Sequence, residues 1–142
     1  MDTTSPAALR MDAPGYEVRL DADAAICHVR FLGRISGRAM LDAVRAITGA
    51  HDGERPLDMI WDCSGVKAHV VSPDEFRDIL ALTLGRLAGY HAIIYSRAER
   101  EDIISDLFAQ SLIRNGLSAS THLTVAGALI SLERESLPET LL

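Results

Sequence analysis

From residue 33 onward, short apolar runs alternate with stretches that carry a helical repeat, and this alternation leaves few folds open. Leu57–Trp61, Ala92–Tyr95 and Thr121–Leu123 are too short to be buried helices. Each is followed by apolar residues at three- and four-residue spacing. Strand followed by helix, repeated three times, places the strands parallel with helical crossovers on the sheet.

Two strands precede that array. Tyr16, Val18 and Leu20 alternate with Glu17 and Arg19, and Asp21-Ala22-Asp23 reads as a turn. Ala24–Leu32 follows with Cys27, Val29 and Phe31 on one face and His28 and Arg30 on the other. A short turn between two such runs predicts an antiparallel hairpin. Gly33 is expected to end the second strand. The expectation is one α/β domain over residues 16–132, with a mixed five-stranded sheet and about four helices. Residues 1–15, rich in Thr, Ser, Pro, Ala and Asp, read as a flexible tail, and residues 133–142 as a polar C-terminal one.

Helix starts are marked in the sequence. Ser36 can cap the helix of Met40, Val44 and Ile47. Ser72-Pro73-Asp74-Glu75 combines an N-cap serine, a proline at the first helical position and a capping-box glutamate. Ser96-Arg97-Ala98-Glu99 repeats the pattern ahead of Ile103, Ile104, Leu107, Phe108 and Leu112. Thr124 can cap a last helix with Val125, Ala128, Leu129 and Leu132. In the Ser72 helix, Phe76, Leu80, Thr83 and Leu87 form the stripe expected to face the sheet. Ile79 and Leu82 then fall on a second face. We expect that face, with the loop before it, to make a homodimer by two-fold symmetry.

Composition narrows the function classes. A net charge of −6 without a basic cluster argues against a nucleic-acid partner. No apolar run approaches the roughly 20 residues of a membrane span. Met1–Pro14 has neither the basic start nor the apolar stretch of a secretion signal, so the expected location is cytoplasmic. Cys27 and Cys63 form no C-x-x-C pair and read as free thiols. The five histidines show no metal-ligand spacing, and no glycine-rich phosphate loop occurs, so neither metal nor cofactor is expected.

The candidate site runs from Asp62 to Ser72. Asp62-Cys63-Ser64 follows a central strand, where open α/β sheets place ligands. Its plainest reading is a turn in which Asp62 or Ser64 bonds nearby backbone amides. A Cys63 nucleophile would need a base, and no histidine stands at a recognisable spacing. Val66, Lys67, Ala68, His69, Val70 and Val71 make an unusually apolar strand-to-helix connection. Such a segment either tucks onto the core or forms an exposed lip that meets a partner or ligand.

Three segments carry a family resemblance. Phe31-Leu32-Gly33-Arg34-Ile35-Ser36 resembles the F-x-G-x-I-t segment of STAS domains (sulfate transporter and anti-sigma factor antagonist). Ile60-Trp61-Asp62-Cys63-Ser64-Gly65-Val66 is similar to their v-l-D-l-S-g-V strand exit. His122–Leu132 is similar to the closing segment of the SpoIIAA-like subgroup. The resemblance implies a superhelix of successive β-α turns, shared with CRAL-TRIO (Sec14-like) lipid-binding domains. It also implies a non-enzymatic domain that binds a protein partner through Asp62, Cys63, Ser64, Val66, His69, Val70, Val71 and Ser72. The family's phosphorylated D-S-S-G turn would fall at Val70-Val71-Ser72-Pro73, so the phospho-serine switch is not expected. The alternatives are a carrier or sensor of a small apolar ligand, as in CRAL-TRIO domains, and a Cys63-dependent enzyme.

Overall fold

The computed structural model describes residues 8–51, 55–97 and 103–142. The alternating runs form β2 (Tyr16–Asp21) and β3 (Ile26–Ser36), an antiparallel pair. Beyond them, β4 (Asp58–Val70), β5 (His91–Ile94) and β6 (Ala119–His122) each join parallel to the strand before. The connections are α1 (Gly37–Ala50), α2 (Pro73–Arg86) and α3 (Ile103–Arg114), and α4 (Val125–Ser131) follows β6. The parallel array expected from the alternation is present.

The sheet has six strands, not five. The extra one, β1 (Ala8–Ala13), lies in residues whose composition suggested a tail. Leu9, Met11 and Ala13 alternate as strand residues do, and all three pack against the core. Pro14-Gly15 closes the β1–β2 hairpin, with Ala13 opposite Tyr16. Gly15 has φ of 91°, a conformation glycine adopts without the Cβ penalty. Order at the other end also exceeds expectation. A 3-10 turn, Glu139–Leu141, buries Leu141, and Arg134 bonds Asp58 and the Ala24 carbonyl.

Gly33 does not end β3. It sits at φ 67° in a register irregularity, and the strand continues to Ser36 beside β4. The same pairing lengthens β4. The expected Leu57–Trp61 run becomes a strand reaching Val70, because residues 65–70 pair with residues 32–36.

Side-chain alternation gives the sheet two faces. On one, Cys27, Val29, Trp61 and Ile93 meet Val44 and Ile47 of α1, Ile79 of α2 and Phe108 and Leu112 of α3. On the other, Ile26, Ile60, Ala92 and Ile94 meet Ala128 and Leu129 of α4 and Leu141.

The helix caps follow the expected residues. Ser36 Oγ accepts from the Ala39 amide at 3.1 Å, and Thr124 Oγ1 accepts from the Gly127 amide at 3.0 Å. Ser72 and Glu75 form a complete capping box. Part of the Ser96–Glu99 box, and the charged run through Asp102, lie outside the described residues. The expected stripe of α2, Phe76, Leu80, Thr83 and Leu87, packs on the core, which also takes up Ile79 from the second face. Ile79 and Thr83 are buried, and Leu82 packs half-buried against the same core. Leu82 and Ala81 line an open groove with Leu41 and Arg45 of α1.

Candidate functional site

The end of β4 divides the candidate residues by strand periodicity. Cys63 faces the α1–α3 side and belongs to its core, as does Val66. Asp62 and Ser64 face the opposite side. His69 and Val71 return to the α1–α3 side, where they line a pocket with Cys63. Val70 is 44% exposed at the strand end, and Ser72 is the exposed N-cap of α2.

The pocket is built from four sources. Trp61, Cys63 and Ile93 form its floor; Met40 comes from α1, Phe76 from α2 and Phe108 from α3. The wall is mostly apolar, with His69 and Ser105 among its lining residues, and the cavity measures about 30 Å³. Aromatic edges set its shape. The Trp61 and Phe108 rings meet edge-on with centroids 5.1 Å apart and planes at 80°, and Phe76 and Phe108 at 6.3 Å and 84°. The rim residues Met40, Val71, Phe76 and Ile104 are half-buried, so the cavity opens between α1, the end of β4 and α3.

The floor is fixed by a buried polar pair. Trp61 Nε1 donates to His91 Nδ1 at 3.0 Å, and His91 Nε2 donates to the Leu87 carbonyl at 2.9 Å. Both ring nitrogens are thus assigned, and the imidazole is neutral. Burial pushes its pKa below the usual histidine range.

On the opposite face, Asp62 is buried and collects three hydrogen bonds. His28 Nε2 donates to Oδ2 at 3.0 Å; the Ser64 hydroxyl and amide donate to Oδ1 at 2.6 and 3.0 Å. Burial alone would raise the carboxyl pKa, but the bonds from His28 and Ser64 outweigh it and hold the group at about 2. The carboxylate stands between serine and histidine, so this order does not make a base-activated serine. The backbone bond from Ser64 is the local turn contact expected at Asp62. Arg30 Nε lies 3.9 Å from the same carboxylate.

Sequence reasoning missed the aromatic half of the pocket. Phe76 and Phe108 read as ordinary core residues of separate helices, and nothing in their spacing shows that Phe108 meets Trp61 and Phe76 meets Phe108. His28 gave no signal either, because its partner lies 34 positions away. Among the described residues, no group of three or more metal-ligating side chains occurs, and no helix is long and apolar enough to cross a membrane. No protein-family model, curated protein or solved structure matches the chain.

Proposed function

We propose that the protein is a non-enzymatic, STAS-like binding domain whose pocket accepts an apolar side chain from a protein partner. The observation that carries this reading is the size of the pocket. Sites for drug-sized ligands occupy about 300–1,000 Å³, and this cavity offers about 30 Å³. A cavity of this size favours the tip of an aliphatic side chain over a lipid or a cofactor. Such anchors in well-packed pockets are the usual energetic centres of protein interfaces.

Two further features support the reading. Val70 and Val71 at the end of β4 give an incoming partner apolar surface beside the opening. The antiparallel hairpin leading into three β-α units agrees with the SpoIIAA-like superhelix that the motifs imply.

A photo-crosslinking side chain placed at Val71 tests the proposal in cells. The expected adduct is a polypeptide, lost when Met40 at the rim becomes Glu. A small apolar molecule co-purifying in stoichiometric amount, with no polypeptide adduct, would establish the carrier reading instead.

A further inference from the structure

We infer that two copies of this chain join edge to edge through β6, extending the sheet across a two-fold axis. The two edges of the sheet differ in charge. Edge strand β1 carries Arg10 and Asp12, the kind of residues that deter edge pairing. At the other edge, the sequence from Asn115 to Leu132 contains no Asp, Glu, Lys or Arg. That stretch holds β6 and α4, and within it Leu123 is 74% and Ile130 77% exposed. Its one histidine, His122, is held toward the neutral form by burial.

Charge selects the occupant. One copy at net −6 repels another over most of its surface. A two-fold interface sets a patch against itself, so any charge on that patch would meet its like. Residues 115–132 are where a second copy approaches without that cost, the neighbouring Asp106 carboxylate being engaged by the Tyr95 hydroxyl at 2.6 Å, whereas a partner recruited by charge would find little to hold.

The backbone is arranged for such pairing. The carbonyls of Ser118 and His122 accept from the His91 and Tyr95 amides at 2.9 Å. Strand alternation therefore turns the amides and carbonyls of Ala119 and Thr121 away from β5, and Leu123 follows directly beyond the strand. An axis through Thr121 sets this residue against its own copy and Ala119 against Leu123 of the second copy. Each pair exchanges two backbone hydrogen bonds, and the exposed Leu123 is covered.

Sedimentation across a dilution series tests the inference. The wild type should approach twice the 15.4 kDa of one chain. Thr121→Lys should return it to one chain with an unchanged circular dichroism spectrum, and Leu82→Glu on α2 should leave the dimer mass in place. Hydrogen exchange on the wild type gives a second reading that needs no variant: the Ala119, Thr121 and Leu123 amides should slow as concentration rises. A wild type that stays at one chain mass, a dimer that survives Thr121→Lys, or amides that exchange equally fast at every concentration would overturn it.

Discussion

The indole of Trp61 donates to Nδ1 of His91 at 3.0 Å, and this contact ties the floor of the pocket to the first residue of β5. Because Nδ1 accepts, the folded state requires the neutral imidazole. The folded pKa of His91 lies below its unfolded value of about 6.5. The unfolded chain therefore binds the proton more readily, and stability is full above pH 6.5 and declines as pH falls below it. Denaturant melts at pH 7.5 and 5.5 should show that decline. In His91→Gln the difference between the two pH values should shrink.

Asp62 predicts a second, lower window. Its carboxyl is held at about 2 in the fold, below its ordinary value of 3.8. Its stabilising contribution is present above that ordinary value and is lost as pH falls toward 2. Asp62→Asn should lower stability at pH 7 by about 1.5–3 kcal/mol, the range for a hydrogen bond to a charged group. The variant should also lose less than the wild type between pH 4 and pH 2, as read by thermal melts in acid.

Ser72 accepts from the Glu75 amide at 3.1 Å while Glu75 accepts from the Ser72 amide at 2.9 Å. Ser72→Ala removes half of this box and should cost about 1 kcal/mol. Chemical denaturation measures it, and an unchanged midpoint would show that the cap contributes nothing to global stability.

Cys27 is wholly buried, and burial pushes its thiol up. Cys63 is a buried thiol in the pocket floor. Both should resist a thiol reagent at neutral pH and react at the rate of unfolding. Rapid labelling of Cys63 in the native protein would reopen the enzyme reading.

Local rules carried the sequence reading where the signal was local. The helix caps at Ser36, Ser72 and Thr124 and the parallel β3–β6 array were legible, because caps and strand alternation are written within a few residues. The sixth strand was not, because Leu9, Met11 and Ala13 sit in a stretch whose Pro, Ser and Asp content resembles a tail. The length of β4 was hidden for another reason: residues 65–70 are extended only because β3 runs on past Gly33 beside them. The site divided in the same way. Cys63, His69 and Val71 were on the candidate list, but the aromatic residues that complete the pocket come from helices whose approach no spacing encodes.

Every strand of this sheet lies beside its neighbour in the chain. The protein can therefore assemble in the order in which a ribosome delivers it, each new strand meeting an edge already in place. Closing each pair spans at most one helix, which keeps the entropic barrier to folding modest for a largely parallel sheet. The long-range closures fall to the last segment, where Arg134 reaches back to Asp58 and Thr140 to Asp21. These contacts lock the assembly once residues 134–140 are in place, so chains shortened before Arg134 should form the sheet yet open more easily at its β2–β3 end.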